Sequence, residues 1–406
     1  MRISRLALPS LVGTCFVACF ACSSSARHPA ATGAAGAGGA SAIAGGAGTT
    51  ATAGASGAAG GGAGSGATGD GTAGTAGTSG SAGAPHDAGV EHAGAAGAGS
   101  DAASDVPPPI DPGTMGDGDF MIGPAYADAP ELTANPAVPK GTVTMFMMKS
   151  TDSKLYPGIT GAYTRPVWVY VPAQYVPGTP APFIVAQDGD NYILRLPPIL
   201  DNMIAAHRLP VMIAVMANSG GGNDKGSERG LEYDTVSDKF VTWVETELLP
   251  KAASTAHVTF TSDPNGRATM GGSSGGAAAF TMGWFGPDLY RRILTYSGTY
   301  VNQESPTDPL YPHGAWEYHE HLIADAAPKP LRVWLECGQN DYNANDPETT
   351  YENFKLANQR MAAALMAKGY HTRFEYALGA QHNDSHVVQQ TLPEALEWLW
   401  RGYPAP

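Results

Sequence analysis

Met270-Gly271-Gly272-Ser273-Ser274-Gly275-Gly276 is the stretch whose reading decides the fold. A β-like run, Gly266 to Met270, leads into it, and a helix of small residues, Gly275 to Trp284, leads out. A serine between glycines at a strand-to-helix turn has the form of a nucleophile elbow. Such a turn forces the serine into a strained backbone, so its neighbours two before and two after must be nearly without side chains. Glycine meets that need because it lacks Cβ and tolerates positive φ. Two registers fit. Ser273 has Gly271 and Gly275 at those offsets, and Ser274 has Gly272 and Gly276. Ser273 is the better nucleophile, because it ends the strand and leaves the N–H of Ser274 at the helix N-terminus, where it can donate to an oxyanion. A glycine-rich turn without chemistry has the same spelling, so partners must be found.

Outward from this stretch, the chain of 406 residues divides by composition. Residues 1–21 read as a secretory leader: Arg2 and Arg5, then an apolar run too short for a confident membrane span. Cys22 followed by three serines has the form of a lipid-attachment site, with Cys19 as its rival. Residues 22–118 are assigned to a tether. Its Ala/Gly/Ser/Thr composition holds about half of the 52 glycines, too little apolar surface to offset the entropy of ordering. Residues 119–406 form the predicted catalytic domain, long enough for one large core.

The formal net charge is −14, and the first hundred residues are balanced, so the acidity belongs to the domain. That argues against nucleic acid and anionic membrane surfaces as partners, leaving membrane contact to an N-terminal lipid anchor. Once Cys22 is processed, Cys337 is the one remaining thiol, and no internal disulfide is possible. Cys337 ends an apolar run, the setting of a buried, inert cysteine.

Apolar β-like runs alternate with helical spacing. Thr142–Met148 and Arg165–Val171 read as an opening antiparallel pair. Strands follow at 182–187, 211–216, 266–270, 292–296, 331–337 and 372–376, and helices at 199–206, 234–253, 275–284, 354–368 and 392–399. Asp105 to Pro139 reads as an extended lead-in. The alternation predicts an α/β fold: a mostly parallel central sheet with helices on both faces. In such sheets the site lies at the carboxyl ends of the strands.

A serine hydroxyl is a weak nucleophile until an imidazole takes its proton and a third group holds that imidazole. In this fold class the acid and then the histidine follow the elbow in chain order. Asp341, just past the strand ending at Cys337, fills the acid slot ahead of Asp346. His382, after the next strand, fills the histidine slot, with His386 its competitor. A second oxyanion donor is expected from the backbone of Gly189 or Asp190, after the strand ending at Gln187. Glu232 and Tyr233 are candidates to reach substrate hydroxyl groups, and Trp316 to wall the cleft. The His319-Glu-His321 pair lacks a further ligand at recognisable spacing, so no metal and no cofactor are expected.

Taken together, Val169-Tyr-Val-Pro172, Gln187-Asp-Gly189, Glu232-Tyr-Asp234, Gly271 to Gly276, Gly338-Gln-Asn-Asp341, His382 and Leu392 to Trp400 resemble a known family. These are the putative esterases grouped with esterase D, enterochelin esterases and feruloyl or acetylxylan esterases. The resemblance covers about Gly141 to Tyr403. It implies an α/β-hydrolase fold and metal-free ester hydrolysis, with Ser273 as nucleophile, His382 as base and Asp341 as acid. Gln381 before the histidine and Ser274 after the nucleophile depart from the usual pattern. The expected function is a secreted or lipid-anchored serine esterase, with a polysaccharide-linked ester as the first substrate. Siderophore ester hydrolysis, acyl transfer to sugars, and a binding module without catalysis are the alternatives.

Overall fold

A strand such as Phe183–Gln187, apolar at nearly every position, must be covered on both faces. The computed structural model, which describes residues 106–159, 161–222, 226–302 and 308–404, covers it so. The predicted leader, Cys19, Cys22 and the low-complexity segment through 105 lie outside the described residues. In chain order the strands are β1 (Gly118–Ile122), β2 (Thr142–Lys149), β3 (Thr164–Val171), β4 (Pro180–Ala181), β5 (Phe183–Gln187) and β6 (Ile213–Ala217). They continue with β7 (Thr259–Phe260), β8 (Arg267–Gly272), β9 (Arg292–Tyr296), β10 (Arg332–Asn340) and β11 (His371–Gln381).

Among the described residues, one sheet runs in the order β1-β11-β10-β9-β8-β5-β6-β3-β2, and β4 pairs with β7 apart from it. The pairings from β1 to β6 are all parallel. β3 and β2 close that edge in antiparallel register. β5, β6 and β9 are buried at every residue, whereas β2 exposes Val143, Met145 and Met147 at the edge.

The helices are α1 (Leu196–Ala205), α2 (Glu228–Tyr233), α3 (Lys239–Trp243), α4 (Leu249–Ala256), α5 (Ser274–Phe285), α6 (Ile323–Asp325), α7 (Phe354–Ala367) and α8 (Ser385–Trp400). One face of the sheet packs on α1 and α8 through Leu196, Ile199, Met203, Leu392, Leu396 and Leu399. The other packs on α3, α4, α5 and α7, through Phe240, Val244 and Leu248 beside α5, and Phe280, Met361 and Leu365.

Three features differ from the sequence reading. The lead-in contains β1, which pairs in parallel with β11 from Gly118↔Arg373 to Ile122↔Ala377. As an edge strand it leaves its middle residues exposed, so its sequence carries no burial signal. The helix expected over 234–253 begins at Lys239 and passes through a π turn, Val244–Leu248, into α4. Pro250 lacks the N–H that a continuous α-helix would need there. Asp234 therefore caps the C-terminus of α2, and Ser227 is the N-cap, accepting from Gly230 N. The last helix starts at Ser385, well before Leu392, with the Asp384 side chain accepting from His386 N and Pro393 inside the helix.

Hydrogen bonding to the domain begins ahead of residue 119. Arg291 Nη1 donates to Pro107 O at 3.0 Å, Asn265 Nδ2 to Pro108 O at 2.9 Å, and Ile110 N to Asn265 Oδ1 at 3.2 Å. Asn265 lies two residues before β8 and Arg291 directly before β9, so this segment docks at the pole where those strands begin.

Candidate active site

Ser273 sits where β8 ends and α5 begins, with φ 56° and ψ −130°, a conformation that L side chains rarely adopt. Its surroundings hold it there. Ser273 N donates to Tyr296 O at 2.9 Å, and Gly276 N and Thr299 N donate to Ser273 O at 2.9 and 3.1 Å. The turn is tight enough that a Cβ on Gly271 would lie 2.4 Å from the carbonyl carbon of Gly275. This is the register with Ser273 at the elbow, while Ser274 is buried in the first turn of α5.

The parallel sheet brings the far-apart partners to the same pole. Ser273 Oγ lies 2.9 Å from His382 Nε2, and His382 Nδ1 lies 2.6 Å from Asp341 Oδ1. Asp341 directly follows β10, and His382 directly follows β11, the neighbouring parallel strand. Asp341 is buried and accepts from Tyr342 N at 2.7 Å and from the Cys337 thiol at 3.3 Å. Burial, and then the charges of Asp341 and Glu336, push the Cys337 thiol well above its ordinary value. It is a hydrogen-bond donor there, not a nucleophile. His386 lies in the first turn of α8, exposed, and Asp346 is also exposed.

The cleft above Ser273 has a volume of about 720 Å³ and is lined by Asp188, Asp190, Asn218, Arg229, Tyr342, Glu352 and Phe354 among others. Ser274, at the start of α5, has its N–H among the helix-terminal donors that lack an intrahelical acceptor. Of the loop after β5, Asp188 is left-handed, at φ 54° and ψ 57°, and its N–H donates to Tyr233 Oη at 3.2 Å. The Asp190 N–H donates to Asn218 Oδ1 at 3.0 Å. That use of the Asp190 amide leaves Gly189 as the stronger candidate donor in this loop. Gly189 admits no side chain, since a Cβ there would lie 2.5 Å from the Met216 carbonyl carbon.

Asp188 forms an ion pair with Arg229 at 2.6 Å. Burial pushes the Asp188 carboxyl up, and the Arg229 charge works against that rise.

The three residues expected to touch substrate do not line the cleft. Glu232 is fully buried, accepting from Arg165 at 2.5 Å and from Tyr163 Oη at 2.7 Å, because a carboxylate inside the fold must be paired. Burial disfavours the Arg165 guanidinium, yet the Glu232 carboxylate leaves it raised above its ordinary value. Tyr233 is buried and supports the Asp188 backbone. Trp316 is buried in the core beside Tyr351, its Nε1 donating to Glu320 at 3.0 Å.

His319 is also buried, its Nε2 3.0 Å from Tyr300 O, and burial pushes it down to about 4. Among the described residues no group of three or more His, Cys, Asp or Glu side chains is arranged to hold a metal ion. Nor is any described helix long and apolar enough to cross a membrane.

Sequence reasoning missed Thr299, whose Oγ1 lies 3.3 Å from Ser273 Oγ, and Arg229 and Asn218, which fix the loop after β5. Thr299 was findable, since it follows the carboxyl end of β9, the neighbour of β8.

A mostly parallel sheet with helices on both faces, and a strained serine hydrogen-bonded to a histidine and an aspartate at its carboxyl pole, define the α/β-hydrolase class. Residues 163–399 match the family described as putative esterase, and the chain belongs to that family. It is 26% identical over 247 residues to the iron(III) enterobactin esterase of Dickeya dadantii (strain 3937), covering 59% of this chain and 52% of that protein. The chain thus spans about half the length of the curated relative it matches. The ferulic acid esterase of Anaeromyces mucronatus has the same fold, with a TM-score of 0.51 at 16% identity, covering 69% of this chain and 98% of that one. The enterochelin esterase of Shigella flexneri superposes with a TM-score of 0.48 at 23% identity, covering 66% and 60%.

Proposed function

We propose that this protein is a carboxylic ester hydrolase in which Ser273 is the nucleophile, His382 the general base and acid, and Asp341 the orienting carboxylate. The single observation that carries the reading is the continuous chain from Ser273 Oγ to His382 at 2.9 Å and from His382 to Asp341 at 2.6 Å. Ser273 Oγ attacks the ester carbonyl carbon while His382 Nε2 takes its proton. The imidazolium returns that proton to the alcohol oxygen as the C–O bond breaks, leaving an acyl-serine. Water then gives a proton to His382 and attacks the acyl carbon. Ser273 leaves with that proton, and the carboxylic acid departs. The N–H groups of Ser274 and Gly189 receive the oxyanion, one such donor being worth roughly 10²–10³ in rate.

For the substrate, a neutral polyhydroxylated alcohol such as a polysaccharide-linked ester fits the cleft best. Among the described lining residues, three carboxylates, Asp188, Asp190 and Glu352, accompany one guanidinium, Arg229. An acidic lining repels a polyanion and offers acceptors to hydroxyl groups. The second reading, a siderophore esterase, is favoured by the relative named for iron(III) enterobactin. Rates on feruloyl, acetyl-xylan, glucuronoyl and catecholate esters, each against Ser273→Ala, separate the two. A preference for the catecholate ester would reverse the order, and turnover that survives Ser273→Ala on all four would remove the mechanism. Adding a sugar acceptor and analysing products distinguishes hydrolysis from acyl transfer.

Export from a bacterial cytoplasm and lipid attachment at Cys22 complete the proposal, supported by the leader-like composition of residues 1–21 and Cys22-Ser-Ser-Ser. Mass spectrometry of the mature N-terminus tests this part. An unprocessed or unacylated Cys22 counts against it.

A further inference from the structure

Tyr342 is 59% exposed, yet its ring lies against His382, with centroids 4.0 Å apart and planes 20° apart. Phe354 stands perpendicular to the same imidazole at 5.2 Å and 87°, and perpendicular to Tyr342 at 5.8 Å and 87°. The backbone N–H of Tyr342 donates to Asp341 Oδ1 at 2.7 Å, the oxygen that also receives His382 Nδ1–H. One residue thereby aligns the acid through its backbone and covers a face of the base through its ring.

That placement matters at one moment of the cycle. When Ser273 attacks, His382 becomes an imidazolium. An aromatic face carries negative quadrupole density and attracts a cation over its centre, while a neutral imidazole gains far less. An interaction stronger in the transition state than in the resting enzyme raises kcat without changing KM.

We propose that Tyr342 is a positioning residue whose ring face stabilises the His382 imidazolium formed at each proton transfer. The proposal rests on the triad reading above. Tyr342 also lines the cleft, so a substrate platform is the rival role, and it predicts a change in KM instead.

The test compares Tyr342→Leu and Tyr342→Phe with wild type, using two measurements on the full chain. Fluorophosphonate labelling of Ser273 needs the same proton transfer but no ester: the Oγ–P bond forms, the P–F bond breaks, and the Oγ proton passes to His382. Steady-state hydrolysis of p-nitrophenyl acetate supplies kcat and KM, and thermal melts confirm folding, which an exposed position should tolerate.

Tyr342→Leu is expected to slow labelling and kcat by about 3- to 30-fold with KM changed less than about twofold, while Tyr342→Phe keeps at least about half of both rates. A Leu variant as fast as wild type overturns the proposal. So does a Phe variant as slow as Leu, or a loss confined to KM. If wild type labels but hydrolyses no ester, the esterase reading fails while the labelling rates still decide the role of Tyr342. If Ser273 does not label at all, both fall.

Discussion

The Sγ of Cys337 lies 3.3 Å from Oδ2 of Asp341, the carboxylate oxygen that His382 does not use. Oδ1 accepts from His382 and from Tyr342 N, so the thiol is what faces the other side of a buried acid. Cys337→Ala removes that donor and is expected to lower kcat by about 3- to 10-fold, the scale of one weak hydrogen bond to a charged group. Cys337→Ser should recover part of the loss despite its shorter reach. Kinetics on p-nitrophenyl acetate with both variants check this, and an Ala variant at the wild-type rate would count against any role for the thiol.

Ser273→Ala should abolish ester turnover and fluorophosphonate labelling. Ser274→Ala should keep most of both, since its contribution is a backbone N–H that alanine retains. The opposite pattern would move the nucleophile by one residue, which the φ of 56° at Ser273 argues against.

Arg165 and Glu232 form an ion pair with side chains 3% and 0% exposed. Arg165→Met leaves Glu232 charged, buried and without its cation, a loss of about 3–5 kcal/mol in chemical denaturation. The double variant Arg165→Met, Glu232→Gln should regain much of it, because the uncompensated charge is then gone. Equal stability of the single and double variants would refute the argument.

Glu336, in the middle of the sheet, is fully buried, and burial first, then the charges of Asp341 and Asp384, push its carboxyl well above the ordinary value. The folded chain therefore holds a proton that the unfolded chain releases. Its destabilising effect is absent below the ordinary carboxylate range and grows as pH rises from that range towards the folded value. Glu336→Gln, which cannot ionise, should raise Tm at pH 8 relative to wild type and by less at pH 4.5. A gain that does not depend on pH would show that the carboxyl is not the cause.

Much of this architecture was legible because parallel strands covered on both faces read as unbroken apolar runs. Phe183–Gln187 and Arg292–Tyr296 are of this kind, and the elbow announces itself through steric necessity. Ser273, Asp341 and His382 were findable as neighbours for the same reason: each follows the carboxyl end of a strand. What failed were inferences about where side chains point. Glu232, Tyr233 and Trp316 are polar or amphipathic groups near the site in sequence, but whether such a group faces solvent depends on a partner elsewhere. For Glu232 that partner is Arg165, 67 positions away. β1 was missed because an exposed edge strand leaves no periodicity to read.

The docking of Pro107, Pro108 and Ile110 beside Asn265 and Arg291 has a mechanical corollary. β8 spans six residues between that contact and Ser273, about 20 Å of extended chain. A pull on the chain at Pro107 is therefore taken up near the start of β8, at the opposite end of that strand from the reactive hydroxyl.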